Sequence, residues 1–138
     1  MMERMKKILI ADSSEEFGLD LRQALENEPG WMVTGVASDG QQAMDLLNTT
    51  QPDVLVIDLL LPKVDGIAVL QHAASMSKPP VCMVISGFLT DYMTGTAAQL
   101  GVHYFMAKPK RQTDTTYFRD ECYRKYDYTL EQSGRSGQ

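Results

Sequence analysis

Five short apolar runs rich in β-branched residues recur along the chain, at 8–11, 33–37, 54–57, 81–85 and 104–107, and stretches of helical spacing separate them. This alternation constrains the fold more than any other feature. Runs that are continuously apolar, as at 54–57 and 81–85, are those of strands covered on both faces, which occur in parallel sheets. Strand followed by helix, repeated, requires crossover connections and places helices on both sides of the sheet. The second run, interrupted by Thr34 and Gly35, and the last run read as the edges of the sheet.

The helical segments carry their own punctuation. Phe17, Leu21, Ala24 and Leu25 follow Ser13 and Ser14, either of which suits an N-cap, and that helix stops at Pro29 and Gly30. Ala43, Leu46 and Leu47 follow Asp39 and Gly40; Ile67, Leu70, Ala73 and Ala74 follow Asp65 and Gly66. A fourth helix is expected over 90–100 with Met93, Ala97 and Leu100 on one face, loosened by Gly95 and several threonines. After Pro109 the chain is polar, then shows a thin aromatic stripe at Phe118, Cys122, Tyr126 and Leu130 that fits an atypical fifth helix. Residues 132–138 are expected to form a disordered tail.

A chain of 138 residues suffices for one ordinary domain, placed here at 1–131. With 43% hydrophobic and 22% charged residues it has the composition of a packed globular protein. Its net charge of −5 argues against a face for nucleic acid or anionic lipid, so a protein partner is expected. Cys82 and Cys122 lack metal-type or disulfide spacing, which fits a reducing cytoplasm. The apolar run before Asp12 is too short for a signal segment or a membrane span, and nothing in it directs the chain out of the cell.

Ligands of open parallel α/β sheets bind beyond the carboxyl ends of the strands. Those ends carry Asp12, Asp58, Ser86 and Lys108. Gathering two acids and an ammonium at one sheet edge costs desolvation unless something compensates them, and Mg²⁺ with a phosphate group does so. A carboxylate nucleophile (Asp58), a metal held with Asp12, a cation (Lys108) and a hydroxyl (Ser86) are the parts that acyl-phosphate formation needs. The bland alternative makes the acids helix-proximal caps and Lys108 a solvated loop residue; it explains each residue singly but not the convergence of all four.

The stretches ILIAD at 8–12, VIDLLLPKVDG at 56–66, VISG at 84–87 and the run from Gly101 through YFMAKP at 104–109 resemble, in order and spacing, the bacterial response-regulator receiver family. GVASDGQQA at 35–43 and YFMAKP are closest in wording to the receivers of sporulation-initiation regulators. The resemblance implies a doubly wound, CheY-like (flavodoxin-like) five-stranded sheet of order 2-1-3-4-5. It also implies Asp58 as phosphorylation site, Asp12 and the Leu60 carbonyl as Mg²⁺ ligands, Ser86 and Phe105 as switch residues, and a cis Lys108–Pro109 bond. The partners implied are a sensor histidine kinase or phosphotransfer protein as donor and an output protein or effector domain outside this chain; a homodimer stays open, as does whether the chain stands alone or is the receiver portion of a longer protein.

Two departures from the family pattern carry consequences. Ser13 stands where a second metal-binding acid is usual, so Mg²⁺ affinity is expected to fall, with Ser13 a weak or water-mediated ligand and Glu15 or Glu16 candidates to assist through water. Lys110 stands where an apolar residue normally docks, which bears on the dimer or output face. Leu60 and Phe88, two residues after Asp58 and Ser86, are bulky and apolar; they are expected to exclude water and slow loss of the phosphoryl group. Three readings follow: a phospho-acceptor receiver that is not a metabolic enzyme, a pseudo-receiver that binds partners without cycling phosphate, and a Mg²⁺-dependent phosphohydrolase. The last normally needs an acid two residues after its nucleophile, where this chain has Leu60. His72 and His103 have no partner pattern and are read as structural.

Overall fold

The computed structural model describes residues 4–87, 90–108 and 115–132. Its strands are β1 (Lys6–Ala11), β2 (Trp31–Ala37), β3 (Val54–Ile57), β4 (Val81–Ser86) and β5 (Tyr104–Ala107). All pair in parallel, in the order β2-β1-β3-β4-β5. The expected order and both expected edge strands are therefore present. Between and after the strands lie α1 (Glu15–Glu26), α2 (Gly40–Thr50), α3 (Gly66–Ala74), α4 (Asp91–Gln99) and α5 (Thr115–Gln132).

Alternation along the strands divides the core into two layers. Ile8 and Ile10, Val54 and Val56, and Val81, Met83 and Ile85 face α1 and α5, where they meet Phe17, Leu21, Leu25, Phe118, Cys122 and Tyr126. Leu9, Leu55 and Ile57, Cys82 and Val84 face the other way, onto Leu47 of α2, Val69 and Leu70 of α3 and Ala97 of α4. With both faces covered, β3 and β4 are buried at every residue, hence their uninterrupted apolar sequence.

The starts of α1 to α4 are each set by a side chain that accepts a backbone N–H. Ser14, rather than Ser13, caps α1 through Phe17 N; Asp39 caps α2 through Gln42 N, Asp65 caps α3 through Ala68 N, and Thr90 caps α4 through Met93 N. The aromatic stripe of α5 packs as its spacing predicts, with Phe118, Cys122 and Tyr126 buried and Leu130 partly so. Trp31, the first residue of β2, fills the corner beneath α5 with its ring 4.8 Å from that of Tyr123 and 5.2 Å from that of Tyr126. The Tyr123 hydroxyl donates to Leu25 O at 2.5 Å and ties α5 to the last turn of α1. Helix α4 is held least, with Ala97 its one buried residue.

The cysteines are free and buried, and burial pushes both thiols up to about 12, which leaves them unreactive at neutral pH. Both histidines make hydrogen bonds to neighbouring elements. His72 Nε2 meets Asn48 Oδ1 at 2.6 Å, and His103 Nδ1 accepts from Cys82 N at 3.2 Å. Among the described residues no helix is long and apolar enough to cross a membrane. Gln132, the first residue of the expected tail, ends α5; the rest of that tail, the Lys108–Pro109 bond, Phe88 and Lys110 lie outside the described residues.

Candidate functional site

The carboxyl ends of β1, β3, β4 and β5 hold Asp12, Asp58, Ser86 and Lys108, and the sheet itself fixes their backbones. Asp12 N donates to Ala37 O at 2.9 Å, Asp58 N to Ala11 O at 2.9 Å, and Lys108 N to Ser86 O at 3.0 Å. The parallel ladder thus runs one residue past the strands and delivers these residues in register. Asp12, Asp58 and Ser86 are buried at 0%, 6% and 4% exposure.

One ammonium group joins the two acids. Lys108 Nζ lies 2.9 Å from Asp12 Oδ1 and 3.6 Å from Asp58 Oδ2. Asp12 Oδ1 also accepts from Ser14 N at 2.8 Å, and Asp58 Oδ1 from Leu60 N at 2.9 Å. Asp12 Oδ2 is buried with no hydrogen-bond partner, the one such side-chain oxygen or nitrogen among the described residues. Burial holds the Asp58 carboxyl above the usual carboxylate range; the Leu60 N–H opposes this, Asp12 adds to it, and Lys108 offsets part of it.

Two carboxylates around one ammonium leave a local charge of about −1, and the orphaned Asp12 Oδ2 leaves one acceptor unsatisfied; a single small hard cation answers both needs. Among the described residues no group of three or more His, Cys, Asp or Glu side chains is arranged to hold a metal. A cation here would draw on two carboxylates and would need backbone carbonyls and water for the rest of its shell, a donor set that Mg²⁺ accepts. Ser13, Glu15 and Glu16 are exposed at the start of α1.

The loop after β3 frames this corner and is anchored to the start of α2. Gly40 N donates to Pro62 O at 3.1 Å, and Gly66 N to Leu59 O at 3.0 Å. Both approaches require glycine: a Cβ on Gly40 falls 1.7 Å from Val64 O, and one on Gly66 falls 2.5 Å from Leu59 Cα. Lys63 sits at φ +67° in a γ-turn closed by Val64 N to Pro62 O at 2.8 Å, and its ammonium pairs with the buried Asp39 carboxylate at 3.3 Å. The Gln42 backbone N–H, assisted by Lys63, keeps Asp39 below the usual carboxylate range.

The remaining sequence candidates are placed as follows. The Leu60 side chain is 52% exposed while its N–H faces Asp58. Phe105 is half-buried on β5 opposite Val84 and packs on the α2–α3–α4 layer. Two neighbours escaped the sequence reading: the Phe17 ring, 4.8 Å from Lys108 Nζ, and the Asp39–Lys63 pair. Phe17 carried only the signal of an apolar helix position, and Asp39 only that of a cap.

Three solved structures share this architecture. A CheY-like receiver domain protein from Methanospirillum hungatei superposes with a TM-score of 0.81 at 19% identity, covering 93% of this chain and 98% of that one. The response regulator domain of Thermotoga maritima CheB gives 0.80 at 23% identity over 93% and 98%. The phosphorylated cyanobacterial phytochrome response regulator RcpA gives 0.78 at 22% over 91% and 96%. The response regulator receiver domain model matches residues 8–116, a span that holds β2 to β5, all of β1 but its first two residues, and the acidic corner, and the chain belongs to the response regulator receiver family.

Proposed function

We propose that this receiver is a phospho-acceptor of a two-component or phosphorelay system, in which Asp58 takes a phosphoryl group in a Mg²⁺-dependent step and the new charge alters protein–protein contacts. The observation that supports it most is the meeting of Asp12, Asp58 and Lys108 around one small volume, with Asp12 Oδ2 left unpaired. A solved relative of the same fold is described as phosphorylated, in keeping with this reading.

In the proposed step a carboxylate oxygen of Asp58 attacks the phosphorus of a phosphohistidine on a kinase or phosphotransfer protein. The phosphorus–nitrogen bond breaks, the donor imidazole leaves with the electron pair and takes up a proton, and an acyl phosphate remains on Asp58. Asp12, Asp58 and the Leu60 carbonyl would hold Mg²⁺, which would supply charge neutralisation of the transferring group. Lys108 binds a phosphoryl oxygen, Ser86 donates its hydroxyl to another, and Phe105 follows Ser86 inward to change the surface near α4, β5 and α5. The protein acts on itself and turns over no metabolite. The wording of 35–43 and 104–109 supports a place among sporulation-initiation receivers, and the lack of a membrane-crossing helix among the described residues supports a cytoplasmic setting.

Intact-mass measurement after incubation with a small acyl-phosphate donor and Mg²⁺ tests the reading. One phosphoryl adduct, absent in Asp58→Asn, is the expected result, and continuous release of phosphate instead points to a phosphohydrolase. The absence of any adduct favours the second reading, a pseudo-receiver, for which Ser13 at the metal corner is the specific observation. Leu60, at the mouth of the site, is expected to slow hydrolysis, so Leu60→Asn shortens the lifetime of the adduct about tenfold if it admits and orients water; an unchanged decay defeats that role.

A further inference from the structure

We propose that Phe17 is a positioning residue for Lys108, its ring face keeping the ammonium group beside Asp58 when a divalent cation draws on the carboxylates that otherwise hold it. This rests on the phospho-acceptor reading of the site. The oxygens that hold Lys108 belong to Asp12 and Asp58, the two acids on which the proposed cation would draw. Two cations drawn to the same pair of carboxylates repel each other, so a metal weakens the hold on Lys108 at the moment the lysine is needed for phosphoryl oxygens. A seat without formal charge escapes that competition, and an aromatic face is such a seat.

The ring is placed for this by the same oxygen that takes the lysine. Asp12 Oδ1 accepts from Lys108 Nζ at 2.9 Å and from Ser14 N at 2.8 Å; Ser14 Oγ then accepts Phe17 N at 3.2 Å and starts α1. This fixes the first turn of α1 so that the Phe17 ring lies 4.8 Å from Lys108 Nζ. The Phe118 ring of α5 backs it edge-on, 6.3 Å away at 73°. Phe17 is 8% exposed, so the contact is shielded from water, the condition under which cation–π attraction is largest. An aliphatic side chain fills most of the same volume and offers no negative face.

Phe17→Leu and Phe17→Tyr in the full chain separate the ring's electrostatics from its packing, with Phe17→Met as a second aliphatic variant should Leu fold poorly. The first readout is the NMR mobility of the Lys108 side chain, assigned by its loss in Lys108→Arg, with and without saturating Mg²⁺. The wild type and Tyr variants are expected to keep Lys108 ordered in both conditions, and the aliphatic variants to loosen it only with Mg²⁺. The second readout is phosphorylation by a small acyl-phosphate donor at sub-saturating concentration, expected to slow by about three- to tenfold in the aliphatic variants and to recover in Tyr. Equal behaviour of Leu and Tyr, whether both intact or both impaired, overturns the proposal. If the wild type takes no phosphoryl group yet Lys108 loosens as described, the phospho-acceptor reading fails and the role of Phe17 stands; if the wild type is phosphorylated and the aliphatic variants hold Lys108 tightly, the role of Phe17 falls alone.

Discussion

Asp58 is the residue at which stability and the proposed function pull in opposite directions. Its folded carboxyl titrates above its unfolded value because burial disfavours the charge. Between the ordinary carboxylate pKa and that raised value the folded state therefore binds more protons than the unfolded one, and stability falls as pH rises through the window. Above the window the ionised Asp58 is a standing cost. Asp58→Asn removes it and is expected to raise the melting temperature at neutral pH by roughly 4 °C, on the order of 1 kcal/mol. At a pH below the ordinary carboxylate range the two proteins should melt together, since both are then neutral at 58; a gain that persists in acid means the cost is steric and not electrostatic. The site's main residues were legible in sequence because strand ends in a parallel sheet are countable positions, so Asp12, Asp58, Ser86 and Lys108 follow once the strands are found. Lys63 was not legible. Its left-handed backbone costs about 1–3 kcal/mol in a non-glycine residue, a conformation imposed by the close approach of Val64 to Gly40 and invisible in local sequence. The ion pair to the buried Asp39, exposed at its lysine end, offsets little of that.

At the scale of elements, the same substitution is expected to have opposite signs in two helices. Gly40 begins α2 where a Cβ collides with the Val64 carbonyl, so Gly40→Ala must push the loop after β3 outward and should cost about 3 kcal/mol. Gly95 lies exposed in α4 with open space around its Cβ direction, and Gly95→Ala should stabilise by about 1 kcal/mol through backbone entropy alone. Urea unfolding midpoints of the two variants check both, and a neutral Gly40→Ala shows that the loop is not clamped by α2. Elements differ in how much of them the amino-acid sequence reveals. β3 and β4 were plain because burial on both faces leaves no polar position, and α1 to α3 were plain because caps and apolar faces agree. In α4, Thr94, Gly95 and Thr96 dilute the pattern, and only Ala97 is buried to reinforce it. Helix α5 was readable as a stripe, yet its docking through Trp31, Tyr123 and Leu25 joins residues about a hundred positions apart that no periodicity connects.

For the molecule as a whole, the proposed cation site makes global stability a readout of metal binding. An ion that binds only the folded chain adds RT ln(1 + [L]/Kd), about 2.7 kcal/mol at a hundredfold excess over Kd. Mg²⁺ should therefore raise the melting temperature of the wild type, and Asp12→Asn, which removes the charge of the acid bearing the unpaired oxygen, should abolish the shift. Ser13 is expected to set the size of the effect. A serine hydroxyl beside Asp12 offers a neutral oxygen where a carboxylate would add charge, so Ser13→Asp should tighten binding. Each tenfold gain in affinity enlarges the Mg²⁺-dependent shift by about 1.4 kcal/mol once the site is saturated. Without the ion the same variant should melt lower than the wild type, because a third acid then joins two that share one lysine. The pattern of shifts discriminates between the two readings of the site. A Mg²⁺ response in the wild type that grows in Ser13→Asp belongs to a working phospho-acceptor of reduced metal affinity; a response that appears only after Ser13→Asp belongs to a receiver whose metal corner has been lost.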